Sequence, residues 1–358
     1  VYYARDVQGR VGFATELSEM FRLPGVEARL SRPSLHEYLR FLDIAAPNTI
    51  YDGIRSLQAG DRMTFTKDDV RSEGTDVPSA AAPTPGFESA LDQLDELLHA
   101  STARRLRGSP RNAAFLSGGV DSALMCAIAS RIDPEIEAVT VGFQSKDLDE
   151  SPIAAQVARG LKLRHRILRF DRTPYLAAFE RFSRGAEQPV ADPAATPTLS
   201  AFEFCRNGDD SVLDGTGADE LVGAMPPRHV RIAVEYASLL ARSVRRMIVK
   251  GLNMVPAVSG YAPIFDFEHP AEMLIRWRGF RRGEVAALCN ERVGFEHTLF
   301  FRTFARFPHG AHYERYRALL ATMPSDRLHQ AVRLTGLEAR YPYLEHEISG
   351  FVKGLPID

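Results

Sequence analysis

A run of small and hydroxylated residues, Ser117-Gly118-Gly119-Val120-Asp121-Ser122, follows the apolar Ala113-Ala114-Phe115-Leu116 and precedes the helical Ala123-Leu124-Met125-Cys126-Ala127-Ile128-Ala129. A buried strand that passes through two glycines into a helix start presents backbone N–H groups without intrahelical partners, an arrangement that holds an anion. Gly118 and Gly119 let the backbone approach closely, Ser117 and Ser122 can donate hydroxyl hydrogen bonds, and Asp121 can hold Mg2+ against phosphate. Neither the Gly-Lys-Ser/Thr of a Walker loop nor a GxGxxG run is present. The competing reading is a glycine turn capped by Ser and Asp. Further on, Val212-Leu213-Asp214-Gly215-Thr216-Gly217-Ala218-Asp219-Glu220-Leu221 sets a second acidic cluster at a strand end. Ligands of parallel sheets sit outside the carboxyl ends of the strands, so the two clusters are expected to meet, with Asp121 and Asp219 sharing Mg2+ bound to a triphosphate. A solvated turn is the competing reading of Asp219-Glu220.

The elements that must position these residues are legible from periodicity. Leu91, Leu94, Leu97 and Leu98 mark one helical face, and Asn112 to Leu116 is a short buried strand. A helix follows at Ala123 to Arg131, a strand at Glu137 to Phe143, a helix at Pro152 to Leu161 and a strand at Ser211 to Asp214. Strands alternating with helices predict a parallel sheet with crossovers, an α/β domain, over residues 87–358, mainly helical after about residue 225. Ahead of it, Val11 to Ala14 and Arg62 to Thr66 read as strands, and Ser34 to Leu42 as a short helix with Ser as its N-cap. Residues 1–75 thus form a front domain. The Pro- and Ala-rich stretch at 76–86 cannot hold a helix or a ladder and is the expected linker.

Composition narrows the classes of function. Charged residues make up 25% and hydrophobic ones 45% of 358 residues, as in ordinary soluble globular chains. A net charge of −2 does not favour a nucleic acid partner. The three cysteines, Cys126, Cys205 and Cys289, lack any CxxC spacing, so neither a disulfide framework nor a structural zinc site is expected, and a reducing cytoplasm is. Nothing reads as a signal peptide, and no apolar run reaches membrane-spanning length. Arg104-Arg105-Leu106-Arg107 reads as a solvated helix end. Val230 to Lys250 reads as a packed helix with an Arg-rich face, and Asp147 to Glu150 as an acidic helix start with a second option in Mg2+ or pyrophosphate handling.

Ser-Gly-Gly-x-Asp-Ser resembles the pyrophosphate loop of the ATP pyrophosphatases. Three further stretches are similar to the asparagine synthetase family within that group: Val212 to Leu221; Leu337-Glu338-Ala339-Arg340-Tyr341-Pro342-Tyr343-Leu344-Glu345-His346; and the front of the chain, which resembles the last part of the family's glutaminase-like domain. The resemblance implies an adenine nucleotide α-hydrolase-like synthetase domain, a parallel sheet with flanking helices, behind a partial, β-rich N-terminal nucleophile domain. It implies that Leu116 and Val141 line an adenine pocket, that Ser117, Gly118, Gly119 and Ser122 hold phosphates, and that Asp214 and Gly215 meet the nucleotide from the other side. The implied chemistry is adenylation of a small-molecule or peptide carboxylate by Mg·ATP, followed by attack of ammonia or an amine. Asp121, Asp219 and Glu220 are the expected catalytic residues. Glu338 and Arg340 are expected to form a structural ion pair.

The sequence departs from the family at several places. No cysteine precedes Cys126, which falls inside a helix as a structural residue, so the residues present are not expected to hydrolyse glutamine; a longer chain is the expectation. Thr216 stands where asparagine synthetases carry Glu and β-lactam synthetases Tyr. Asp326-Arg327 lies too far from Gly336 to match the family's run there, and His329 falls near the place of an Asp. Only five lysines occur against 39 arginines, and Lys353 is too close to Pro342 to be the family's lysine near the adenylate. Three readings therefore stand: an asparagine synthetase-like ligase, a relative such as β-lactam synthetases or lasso-peptide cyclases that uses a substrate amine, and a non-catalytic ATP-binding scaffold. A homodimer stays open.

Overall fold

The computed structural model describes residues 1–58, 60–66, 70–74, 85–222, 227–275, 279–308, 310–320, 322 and 326–355. Of the expected linker at 76–86, only Pro85 and Gly86 fall within the described residues. Two compact units form, one from Val1–Ala59, Phe65–Val70 and Gly223–Pro324, the other from Gly60–Thr64, Arg71–Val222 and Ser325–Asp358.

At the front of the chain, β1 (Tyr2–Arg5) pairs antiparallel with β2 (Val11–Ala14) on one edge and β3 (Ile54–Ser56) on the other. Its alternate residues Tyr2 and Ala4 turn inward onto Leu17, Met20 and Ile54, the period-two pattern of a half-buried strand. α1 (Arg32–Phe41) starts one turn earlier than its sequence predicts. Ser31 is the cap, its Oγ accepting from Ser34 N at 3.4 Å, and Pro33 sits in the first turn, where a helix needs no N–H from it. Leu42, at φ 63°, ends the helix in the left-handed region. β4 (Asp61–Phe65) and β5 (Val70–Gly74) make a separate two-stranded ladder.

The other unit runs α2 (Phe87–Leu106), β6 (Asn112–Phe115), α3 (Val120–Ile132), β7 (Glu137–Phe143), α4 (Ser151–Gly160), β8 (Arg164–Phe170), α5 (Arg172–Gly185), α6 (Ala195–Arg206), β9 (Ser211–Leu213) and α7 (Ala218–Val222). The chain then supplies the first unit with α8 (Arg228–Glu235), α9 (Arg242–Asn253), α10 (Arg282–Cys289), α11 (Leu299–Arg306) and α12 (His312–Leu320), and returns with α13 (Asp326–Thr335), β10 (Glu338–Arg340) and α14 (His346–Gly354). Five strands form one sheet in the order β10-β9-β6-β7-β8, every pairing parallel. Alternate residues feed two cores. Ala114, Leu116, Ala138 and Leu213 pack with Met125, Ile128 and Ile348 on one face, and Ala113, Val139 and Val212 with Phe202, Leu328 and Leu337 on the other. A sheet covered on both faces explains the continuous apolar runs of β6 and β9.

In the first unit, the aromatic ring of Phe41 lies against Phe295, Phe300 and Phe301 at centroid distances of 5.8, 5.6 and 6.2 Å. Gly279 N donates to Arg40 O at 3.1 Å, and a Cβ at Gly279 would stand 2.2 Å from Leu39 O, so only glycine fits there. The single helix expected over Val230 to Lys250 is two, α8 and α9, broken by a short 3-10 turn at Ala237–Leu239. Its Arg245 is buried, with its guanidinium 3.8 Å over the Phe267 ring and a hydrogen bond to Phe267 O. Among the described residues no helix is long and apolar enough to cross a membrane.

Candidate active site

β6 leaves the sheet at Leu116, whose N–H still bonds Val139 O at 2.9 Å, and turns through Ser117 and Gly118 into α3, with Gly119 as its N-cap. The turn is held by its own hydroxyls. Ser117 N donates to Ser122 Oγ at 3.0 Å, the two hydroxyls meet at 2.9 Å, Gly119 N donates to Ser117 Oγ at 3.1 Å, and Ser122 Oγ donates to Gly119 O at 3.2 Å. Gly118 N instead donates to Glu150 Oε2 at 3.0 Å, so a carboxylate lies on the backbone N–H at this helix start. A Cβ on Gly118 would press to 3.3 Å against Glu150 Cβ.

Beside this turn a cavity of about 250 Å³ opens at the carboxyl end of the sheet. Phe115, Leu116, Val141, Phe143, Leu148 and Pro197 give it apolar walls, and Ser117, Thr140, Glu150, Thr198 and Asp214 give it polar ends. Few polar groups on an apolar pocket are the make-up of a small-molecule site. Thr140 ties its floor together, its Oγ1 donating to Leu116 O at 2.6 Å and meeting His165 Nε2 at 2.8 Å. Asp149 braces the rim by accepting from Phe143 N and Ser151 N, and the Ser151 hydrogen bonds hold its carboxyl below the usual range.

The second acidic stretch follows β9. Asp214 lines the cavity, its N–H bonded to Arg340 O and its Oδ1 accepting from Thr216 N at 2.8 Å. Gly215 brings this turn onto the first: a Cβ there would lie 3.7 Å from both Cα and N of Ser122. Gly217 takes φ 104°, and a Cβ on it would stand 2.4 Å from Leu344 Cδ2. The turn delivers Asp219 in the first turn of α7. Burial, and then the negative charge of Asp219, hold the Asp121 carboxyl above its ordinary range. Tyr343 donates its hydroxyl to Asp121 O at 2.8 Å, joining the stretch after β10 to α3.

The fold therefore brings together Leu116, Ser117, Val141 and Asp214 around one cavity, with Gly118, Gly119, Asp121, Ser122, Gly215 and Asp219 at the two turns beside it. Glu220, in the same first turn of α7 as Asp219, is not among the cavity-lining residues. Glu150, which the sequence offers only as part of an acidic helix start, stands at the start of α4 with its carboxylate on the glycine turn. Glu338 and Arg340 do pair, at 2.8 Å, and Arg340 also donates to Arg107 O and Ser109 Oγ. Arg104 and Arg105 are ion-paired with Glu347 and Glu345 at 2.9 and 2.6 Å. Cys126 is buried in α3, its thiol pushed up to about 12 by desolvation, an inert structural cysteine.

Comparison with known proteins gives two family matches, Asparagine synthase over residues 93–358 and Glutamine amidotransferase domain over residues 1–75. A protein of Mycobacterium bovis that carries the provisional name asparagine synthetase (glutamine-hydrolyzing) is 27% identical over 67% of this chain and 38% of its own length. Asparagine synthetase (glutamine-hydrolyzing) 1 of Bacillus subtilis is 21% identical over 71% of this chain and 40% of its own length. The chain thus spans less than half the length of these curated relatives. Among solved structures, the glutamine-dependent NAD+ synthetase of Acinetobacter baumannii, in complex with ADP, matches with 16% identity and a TM-score of 0.30 over 82% of this chain and 65% of that one.

Proposed function

Because the chain belongs to the asparagine synthase family, we propose that it activates a substrate carboxylate with ATP and passes the acyl group to ammonia or an amine, forming an amide. The observation that carries this reading is the junction of an apolar cavity with a glycine turn at a helix start and two opposed carboxylates. Leu116 and Val141 offer apolar walls to an adenine ring, Asp214 lines the same cavity, and Gly215 follows it at the turn beside Ser122. Ser117, Gly118, Gly119 and Ser122 offer hydroxyl and backbone donors to phosphate oxygens. Burial first, and then the charge of Asp219, raise Asp121; a divalent cation would favour the ionised form against both, so Asp121 and Asp219 fit Mg2+. When bound, Mg2+ neutralises triphosphate charge and makes pyrophosphate a better leaving group. The α-phosphate then takes the substrate carboxylate oxygen, pyrophosphate leaves, and the amine displaces AMP from the carbonyl carbon.

Thr216 favours a second reading within the same chemistry. The family's asparagine synthetases carry Glu there, whereas this turn presents a hydroxyl residue whose N–H is tied to Asp214. A substrate that supplies its own amine suits that change. Pyrophosphate exchange into ATP, measured with aspartate and with other carboxylates, separates the readings. Exchange with aspartate supports the asparagine synthetase reading; exchange only with another carboxylate overturns it in favour of the second. A folded chain that releases no AMP with any carboxylate overturns both and leaves a nucleotide-binding scaffold.

A further inference from the structure

A second group of chemistry-bearing side chains lies within the unit that joins the front of the chain to residues 223–324. His36 stands on α1. Cys289 closes α10, Asn290 turns left-handed at φ 52°, and Glu291 follows, so one turn presents a thiol and a carboxylate together. One ligand atom from each of His36, Cys289 and Glu291 lies within 4.8 Å of the other two. The His36 side chain is 11% exposed, and its Nε2 is 2.7 Å from Glu291 Oε1. Among the described residues this buried nitrogen meets no partner in full hydrogen-bond geometry, and the Glu291 oxygen that it faces is shared with Arg32. Arg32, one helical turn before His36, donates Nη2 and Nε to Glu291 Oε1 at 2.9 and 3.2 Å. The carboxylate is thereby oriented, as an outer-shell partner orients a metal ligand.

We propose that His36 Nε2, Cys289 Sγ and the Glu291 carboxylate bind a zinc ion, with water completing a four-coordinate site. An imidazole, a thiolate and a carboxylate make a mixed set that suits Zn2+ and is too soft for Mg2+ or Ca2+. Ligand atoms around a tetrahedral zinc stand roughly 3.5 Å apart, so small side-chain rotations would close this group onto the ion. On binding, Cys289 releases its thiol proton to solvent while His36 binds through a neutral nitrogen, so affinity falls as pH drops. The ion would staple α1 to the end of α10, securing the front of the chain to the helices of its own unit. The competing reading is a His–Glu contact with a cysteine nearby.

The test uses the full chain, stripped by chelation and titrated with Co2+ and Zn2+. The site requires one equivalent of Co2+, a thiolate-to-cobalt charge-transfer band, visible bands of four-coordinate intensity, and displacement of all of these by Zn2+. Cys289→Ser should abolish the charge-transfer band, and His36→Gln should weaken Zn2+ at least about tenfold. Without any variant, Zn2+ should slow alkylation of Cys289, the cysteine that is not buried. No Co2+ uptake by the folded chain, an unchanged band in Cys289→Ser, or alkylation indifferent to Zn2+ would each overturn the proposal.

Discussion

Glu150 occupies Gly118 N–H from 32 residues further along the chain, and any phosphate that uses this N–H must first displace it. A hydrogen bond to a charged group contributes about 1.5–3 kcal/mol when buried and about 1 kcal/mol at an exposed contact such as this one. Glu150→Ala should therefore tighten ATP binding by roughly fivefold, read by calorimetric titration; weaker binding would show that the carboxylate assists the nucleotide instead. A different carboxylate governs pH dependence. Glu37, buried in α1, accepts from Asn48 Nδ2 and Ala45 N, and burial pushes it up from 4.5 to about 7. Since the folded value lies above the unfolded one, its contribution is fully present below the unfolded value and is lost as pH rises through the folded value. Glu37→Gln removes this dependence. Between about pH 4.5 and pH 8 the native chain should lose on the order of 3 kcal/mol of stability relative to the variant in urea denaturation, whereas parallel pH profiles would contradict the shift. At this scale the sequence exposes Ser117 to Ser122 because glycine and hydroxyl types announce their chemistry. It hides Glu150 because a carboxylate's role depends on what the fold sets before it.

Among the elements, the turn between β9 and α7 is tightly constrained. Gly217 holds a left-handed φ and its Cα faces Leu344. Gly217→Ala should cost about 1–3 kcal/mol from backbone strain alone, and more from the clash, while moving Asp214 and Asp219 together. Denaturation and nucleotide affinity should suffer in parallel; a stable variant with native ATP affinity would show that the turn does not position the site. Where apolar periodicity is clean, elements are legible: β7 falls at Glu137 to Phe143 as predicted, and α4 within one residue. β8 is invisible to that reasoning because Arg164, His165, Arg166 and Arg169 interrupt it. It lies at a sheet edge, where charged side chains are tolerated, and Arg166 finds Glu137 at 2.7 Å. β10 at the opposite edge is three residues long, too short for any period. The break between α8 and α9 escapes notice because Tyr236-Ala237-Ser238-Leu239-Leu240-Ala241 carries neither glycine nor proline.

For the whole molecule, linear order and compactness differ. Residues 223–324 build their unit with the front of the chain, although they lie inside the span that matches the Asparagine synthase family. Long-range packing of Phe41 on Phe295, Phe300 and Phe301 has no signature in local sequence, whereas the loop and the C-terminal Leu337 to His346 stretch do. In the proposed reaction the cavity and its two acidic turns hold ATP while a substrate carboxylate attacks the α-phosphate. Incubating the chain with Mg·ATP, an amine source and a carboxylate labelled with heavy oxygen tests it most directly. The prediction is one labelled oxygen in the AMP produced, with Asp121→Asn lowering the yield by at least about a hundredfold. AMP without label, or ADP as the product, would contradict it.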